Sequence, residues 1–142
     1  MVPDDRAEQS LVQTLDIRTE ELTADRVVML MDVTPRLHQP HGIIHGGASV
    51  ALAESAASVG ANMNCADGMV AVGQEINANH LRPKRDGVLR ATALPVHIGR
   101  TSQVWTVEIR DEDEKLVCIS RCTLAVIPAP PGVQRLDAEP VP

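Results

Sequence analysis

The longest apolar stretch of the chain runs from Gly46 to about Asn64 and consists mainly of Ala, Val and Leu. It is longer than a typical strand and rich in Ala, the strongest helix former, so the pattern predicts one long helix. Apolar residues occupy most of the helix circumference, and a helix of this kind has to be covered on nearly all sides.

Segments with the alternating pattern of strands lie on both sides of this helix. Two precede it, at 16–22 and 26–33, and the short polar link between them predicts a hairpin. The other four follow the helix and cover residues 69–81, 87–97, 101–111 and 116–127. Within the first of these four, Gly73 predicts a bulge or a point of close approach.

This order of elements predicts an α+β domain, residues 1–127, in which one antiparallel sheet wraps around a long central helix. A short additional helix is expected at 7–15. The last segment, 128–142, is rich in proline and predicts a disordered tail.

The composition excludes several classes of function. The chain has one Trp and no Phe or Tyr, so binding of nucleic acid by base stacking has almost no side chains to use. A net charge of −6 argues against a protein that binds the phosphate backbone. No segment approaches the roughly 20 apolar residues of a membrane span, and the N-terminus lacks a signal-peptide core. We therefore expect a cytoplasmic protein without nucleic-acid or membrane partners.

The three cysteines agree with a reducing compartment. Cys118 and Cys122 lie on one predicted strand, roughly 13 Å apart, which is too far for a disulfide. Cys65 is left over, and an odd number without regular spacing is no disulfide framework.

Glu54 is the one residue of the predicted helix that a purely structural role does not explain. No Lys or Arg lies in either neighbouring turn, and an unpaired carboxylate in apolar surroundings is costly. Such a carboxylate is a stronger base than one in water, or it can attack an acyl carbon and form a short-lived anhydride. Both reactions fit hydrolysis of an activated acyl group. The structural alternative is a carboxylate on an exposed strip of the helix.

The start of the helix supplies groups suited to an oxyanion. The first amides of a helix, here at Gly46 and Gly47, lack partners and point outward, and the helix dipole favours negative charge there. Gln39 and His45 lie just upstream and can donate hydrogen bonds near the same point.

The two ends of this arrangement are far apart. Glu54 follows Gly46 by two turns, roughly 12 Å at 1.5 Å per residue, and Ser58 lies one turn further on the same face. A second chain, or a loop folded back, has to close that distance, and we expect a site shared between two subunits.

Two other chemistries are disfavoured by the pattern. Pro40 and Gly42 break any helical face that would unite the loop histidines with Glu54, and the spacing fits no zinc motif, so no metal is expected. There is no G-x-S-x-G motif for a serine nucleophile. His80 is interpreted as a strand residue satisfied by its neighbours.

The segment HQPHGIIHGGASVALAES (38–55) closely resembles the signature of the hotdog-fold acyl-CoA thioesterases of the phenylacetate-pathway type. Within them it is most similar to the branch of the enterobactin-synthesis proofreading and dihydroxynaphthoyl-CoA thioesterases. The resemblance continues in VGQEINANHLRP (72–83) and HIGRTSQVW (97–105), and it spans roughly 26–127. It implies the hotdog fold, homodimers that commonly pair into homotetramers, and active sites at the subunit interface. No cofactor is implied, because coenzyme A is part of the substrate.

The resemblance also implies roles for single residues. Glu54 matches the catalytic carboxylate, and the Gly46 amide matches the oxyanion donor. Gln39 and His45 match the groups that orient the thioester and water, and Ser58 matches a hydroxyl that positions the water or the carboxylate.

A second set of residues is implied for the coenzyme A moiety. His97 and Arg100 match a segment near it, with Arg100 the first candidate for a phosphate contact and Arg82 and Lys84 next.

The acyl group is where the sequence departs from the family pattern. Aryl-CoA-hydrolysing relatives often carry aromatic side chains near the acyl pocket, and here only Trp105 is available. An aliphatic wall is suggested by Leu52, Val59 and Met63.

Several alternatives remain open at this stage. The predicted activity is hydrolysis of an acyl-CoA or acyl-carrier-protein thioester, and the alternative is a non-catalytic acyl-CoA-binding or sensing module. A hotdog hydratase ranks last, because it needs an Asp–His pair that this stretch lacks.

Overall fold

The computed structural model describes residues 9–133, which form two α-helices and six strands. Their bounds, in chain order, are α1 (Leu11–Thr14), β1 (Arg18–Leu22), β2 (Val27–Asp32), α2 (Gly46–Met63), β3 (Met69–His80), β4 (Val88–Ile98), β5 (Ser102–Arg110) and β6 (Leu116–Pro128). A single 3-10 turn, Pro35–Leu37, precedes the loop that leads into α2.

The predicted elements are confirmed with small changes at their ends. The first helix is shorter than expected and spans only four residues. Pro128 closes β6 instead of opening a tail, and the segment 134–142 lies outside the described residues.

The six strands form one antiparallel sheet in the order β1-β2-β4-β5-β6-β3. The strand that follows α2 in the chain, β3, therefore lies beyond β6 at the far edge. Within the described chain, β3 pairs only with β6 and presents its other edge unpaired. This edge matters because the helix and β3 together form much of the site.

Helix α2 lies in the curve of the sheet, and from Ala48 to Met63 none of its residues is fully exposed. Its buried residues pack against the sheet, and the others form a half-buried strip, so the predicted cover is complete on the sheet side and only partial on the other. The closest approach is at Gly60, where a Cβ atom would lie 2.5 Å from the ring of Trp105 on β5. The indole N–H donates to the side-chain oxygen of Gln103 at 2.9 Å, so the buried ring leaves no unpaired polar atom.

Asn62, which is buried, ties the helix to β3. Its Oδ1 accepts the Ala71 N–H at 3.0 Å, and its Nδ2 donates to the Ala71 carbonyl at 3.0 Å. The same Nδ2 donates to the Ser58 carbonyl at 2.8 Å. The two contacts with Ala71 fix the height of α2 relative to the edge strand.

Two further expectations concern thiols and membranes. All three cysteines are buried. Among residues 9–133, no helix combines the length and the apolar character that crossing a bilayer would take.

Candidate active site

His45 caps the N-terminus of α2. Its backbone is extended, with φ −69° and ψ 130°, and its Nδ1 accepts the Gly47 N–H at 2.8 Å. Because a nitrogen that accepts carries no proton, this neutral imidazole holds its proton on Nε2 and presents that N–H outward. The Gly46 N–H has no acceptor among the described residues. The helix therefore begins with two donors, one from the backbone and one from a side chain.

A cavity of about 340 Å³ opens at this helix start, and Gln39, Gly46 and Arg82 are among the residues that line it. The Gln39 Oε1 accepts the N–H of His41, which leaves the amide NH2 as the donor end of that side chain. The cavity thus brings together a glycine amide, a carboxamide and a guanidinium, a combination suited to a polarised carbonyl and an anion.

His80, at the end of β3, lies directly against Gly46. A Cβ atom added to Gly46 would be 2.7 Å from the Nε2 of His80, so the glycine makes room for the ring. The interpretation of His80 as an ordinary strand residue missed this contact. Its position inside the segment 72–83, which carries the family resemblance, was the available signal.

Ser49 also reaches this cavity from within the helix. It is 1% exposed, and its hydroxyl has no hydrogen-bond partner among the described residues. A helical serine commonly donates to the carbonyl four residues earlier, and here that carbonyl, of His45, accepts backbone amides instead.

Glu54 faces a different cavity, of about 480 Å³, further along the same helix. Ser58 lines it with Glu54, and the apolar part of the wall consists of Leu11, Val12, Val50, Ala51 and Val59. Glu54 is half-buried and takes part in no ion pair among residues 9–133. The carboxylate is therefore unpaired, as its sequence context indicated.

The carboxylate of Glu54 rests on β3. A Cβ atom at Gly73 would lie 2.0 Å from the Oε1 of Glu54 and 3.1 Å from its Cδ. The carboxylate also influences Cys122 of β6: burial first, and then the negative charges of Glu54 and Glu75, raise the pKa of its thiol from 9.0 to about 12.

The predicted site residues thus fall into two groups within one chain. Gln39 and Gly46 line the first cavity, whereas Glu54 and Ser58 line the second. His45 stands between them, since its ring contacts Gly47, which borders the second cavity.

The candidates for coenzyme A are also separated. Arg82 lines the first cavity, whereas Lys84 is held in an ion pair by Glu112. His97 lies near the end of β4 and Arg100 in the turn that leads to β5, and neither is among the residues that line the two cavities.

The acyl wall differs in part from the suggestion of the sequence. Val59 lines the cavity with Glu54, but Leu52 is fully buried in the core and Met63 is not part of that wall. No cluster of three or more His, Cys, Asp or Glu residues arranged for a metal occurs in the described part of the chain.

This geometry joins an antiparallel sheet around one helix, an exposed helix-start amide and an unpaired carboxylate. It defines the class of hotdog hydrolases that act on activated acyl groups. The family model of the Thioesterase superfamily matches residues 41–118, more than half of the chain. The chain belongs to the Thioesterase superfamily, and it is a thioester hydrolase with the hotdog fold.

Relatives that are named for an activity agree with this assignment. The chain is 48% identical over 116 residues to a 1,4-dihydroxy-2-naphthoyl-CoA hydrolase of Listeria monocytogenes, covering 82% of this chain and 94% of the relative. It is 42% identical over 118 residues to the proofreading thioesterase EntH of Cronobacter turicensis, covering 83% and 86%. The crystal structure of thioesterase HI1161 from Haemophilus influenzae superposes with a TM-score of 0.82 at 43% identity, covering 88% and 87%. The resemblance found in the sequence is confirmed.

Proposed function

We propose that this protein hydrolyses an acyl-CoA thioester to the free acid and coenzyme A, and that Glu54 is its catalytic carboxylate. The observation that carries the proposal is the half-buried carboxylate of Glu54, unpaired and open to an apolar cavity. The names of the relatives, a CoA hydrolase and a proofreading thioesterase, support the substrate class.

In the proposed reaction, the thioester oxygen accepts the Gly46 N–H, and the helix dipole stabilises the negative charge that develops there. The Nε2–H of His45 and the NH2 of Gln39 supply further hydrogen bonds to the thioester and to water. Glu54 acts in one of two ways. As a base, it takes a proton from water while the water oxygen attacks the carbonyl carbon. As a nucleophile, it attacks that carbon itself, and water then cleaves the resulting anhydride. In both cases the C–S bond breaks and the thiolate leaves with the electron pair.

The complete site is proposed to form between two subunits. Gly46 and Glu54 lie two turns apart on one rigid helix and face different cavities, so one chain does not place both on one carbonyl. Pairing of the unpaired β3 edges of two copies would bring the helix start of one subunit toward Glu54 of the partner subunit. Such a homodimer contains two equivalent sites, and two dimers can associate into a tetramer.

Substrate binding is proposed to use both cavities. Arg82, beside Gln39 and Gly46, is placed to contact the coenzyme A moiety, with Arg100 and His97 as outer contacts. The aliphatic wall around Glu54 favours an apolar acyl group, and its length and aromatic or aliphatic character set the preference. A carrier-protein thioester presents the same pantetheine arm and is the alternative source of the acyl group.

The test is release of thiol from acetyl-, hexanoyl-, benzoyl- and 1,4-dihydroxy-2-naphthoyl-CoA. We expect Glu54→Gln to lower kcat by about 10²–10⁴-fold, because the neutral amide neither accepts a proton nor attacks. Glu21→Gln is the matched control, since Glu21 lies on β1 and pairs with Arg26 at 2.9 Å. If none of these thioesters is cleaved, the acyl-CoA hydrolase proposal fails, and a binding module takes its place. If Glu54→Gln leaves the rate unchanged, the role of Glu54 fails.

The two roles of Glu54 are separable by isotope labelling. During a single turnover in water carrying a heavy oxygen isotope, a nucleophilic Glu54 acquires label in its carboxylate when water cleaves the anhydride at the Glu54 carbonyl, and label found there establishes the nucleophile. A base acquires none.

A further inference from the structure

We propose that Gly73 is a positioning residue for the reaction: the absence of a side chain at Gly73 allows the Glu54 carboxylate to pack against the strand, and this contact sets the direction of the carboxylate. The inference rests on the proposed function of Glu54. It concerns a residue that touches neither substrate nor water and acts only through the carboxylate above it.

The contact between the two residues is unusually close. A Cβ atom at Gly73 would lie 2.0 Å from Oε1, 3.1 Å from Cδ and 3.7 Å from Cγ of Glu54. The whole end of the side chain therefore lies over the α-carbon, with one oxygen nearest to it. Any residue other than glycine removes the space that this oxygen occupies.

The backbone does not itself demand glycine at this position. The glycines with positive φ in the described chain are Gly42, Gly68, Gly87 and Gly132, and Gly73 is not among them. A glycine within a strand carries an entropic cost and gives no side chain to the sheet. The bulge after Gly73 also favours glycine in a strand, but the atoms that a side chain here would meet are those of the Glu54 carboxylate.

The strand cannot readily retreat from Glu54. Two residues before Gly73, both backbone groups of Ala71 are hydrogen-bonded to the buried side chain of Asn62, on the same helix as Glu54. Immediately after Gly73, the pairing of β3 with β6 shifts at a bulge: Gly73 pairs with Leu124, and Glu75 with Thr123. Helix and strand are thus fastened together on one side of the contact, and the bulge shapes the strand on the other.

A methyl group at position 73 consequently displaces the carboxylate. An added Cβ at position 73 would lie 2.0 Å from the Oε1 of Glu54, and Cβ atoms essentially never approach other heavy atoms within 3.0 Å. The Oε1 atom therefore has to move by about 1 Å. Glu54 is half-buried on the surface of its helix and has room to swing into the cavity. We expect Gly73→Ala to keep the fold but to lose the present orientation of the Glu54 carboxylate. A displacement of about 1 Å at a reacting group can lower a rate by about 10²-fold.

The first experiment measures steady-state kinetics of Gly73→Ala with the best acyl-CoA of the panel. We expect kcat to fall by about 10²-fold and KM to change by less than about 3-fold, because the first cavity, where Arg82 is proposed to contact the coenzyme A moiety, is not altered. Gly68→Ala is the control, since a methyl group there meets nothing within 4 Å but its φ of 78° is strained. It lowers the melting temperature and keeps kcat. An unchanged kcat for Gly73→Ala overturns the proposal.

The second experiment needs no activity. Melting temperatures are compared for the wild type, Gly73→Ala, Glu54→Ala and the double variant. The added methyl group should be tolerated better when Glu54 is absent, so the change caused by Gly73→Ala should be more favourable in the Glu54→Ala background. If Gly73→Ala changes the melting temperature equally in both backgrounds, the proposed contact between Gly73 and Glu54 is refuted. A clear difference together with an absence of thioester cleavage keeps the contact and assigns the failure to the proposed function.

Discussion

Cys122 lies in the core on β6, close enough to Glu54 for the carboxylate to influence its thiol. The pKa of this thiol reflects how little water reaches this part of the protein. The Cys122 side chain is fully buried, and the pKa of its thiol is raised to about 12 by burial first and by the charges of Glu54 and Glu75 second. Burial also raises the pKa of Cys118 on the same strand. The neutral thiols are thus the forms compatible with the folded state.

The raised pKa of Cys122 predicts a loss of stability at high pH. Below pH 9.0 the thiol keeps its proton in the folded and unfolded chains, and its contribution to stability is complete. Between pH 9.0 and about 12 the unfolded chain ionises first, so the free energy of unfolding decreases as the pH rises. Urea unfolding at about pH 8 and about pH 10.5 measures this decrease. The decrease should be smaller for Cys122→Ala, and an identical decrease in the variant contradicts the assignment.

Helix α2 and strand β3 form the structural unit that carries both ends of the candidate site. The first cavity is bordered by the start of the helix and the end of the strand, where Gly46 meets His80. The carboxylate contact of Glu54 with Gly73 lies further along the same two elements. Asn62 connects them beyond that point, so it controls how the helix and the strand are aligned.

Removing the Asn62 side chain should destabilise the protein strongly. Asn62→Ala leaves the N–H and carbonyl of Ala71 without these partners in a buried place, which costs about 2–4 kcal/mol of unfolding free energy. Asn64→Ala is the matched control: its Nδ2 donates to the Ala24 carbonyl in exposed surroundings and to the Gly60 carbonyl in part-buried ones, so the loss should be smaller than for Asn62→Ala. Urea denaturation monitored by circular dichroism measures both. Equal losses in the two variants contradict a special role for Asn62.

Much of this unit could be predicted from the sequence. The Ala-rich composition of α2 and the period of two in β5 fix their type and their buried faces, since both signals are local. The sequence predicts a bulge or close-approach point at Gly73, and the shifted register confirms it. That Glu54 is the residue that approaches Gly73 was not predictable. The period of apolar residues shows which face of a strand a residue occupies, but not which element packs against that face. His80 was missed for the same reason: its contact with Gly46 depends on β3 lying at the far edge of the sheet.

At the scale of the whole chain, the proposed catalytic groups lie in two separate places. The oxyanion group and the carboxylate open into separate cavities, and the edge of β3 pairs with no strand of the described chain. In the proposed dimer, twofold symmetry would bring the two groups together at two equivalent sites, and this makes the arrangement testable by mixing.

Two inactive variants should restore activity to each other in a mixed dimer. Gln39→Ala damages one of the two groups and Glu54→Gln the other, and each variant alone is expected to be nearly inactive. After joint refolding from urea, about one quarter of the wild-type activity should return, since half of the dimers are mixed and each has one intact site of two. Each variant refolded alone is the control. Activity no higher than the sum of the separate variants contradicts a site shared between subunits.

The single tryptophan is the source of all aromatic fluorescence of this protein. Trp105 is fully buried against Gly60, between α2 and β5, and the chain has no Tyr or Phe. Intrinsic fluorescence and near-ultraviolet absorption of aromatic side chains therefore come from one ring at one place. A shift of its emission reports separation of the central helix from the sheet, undiluted by signals from other aromatic side chains.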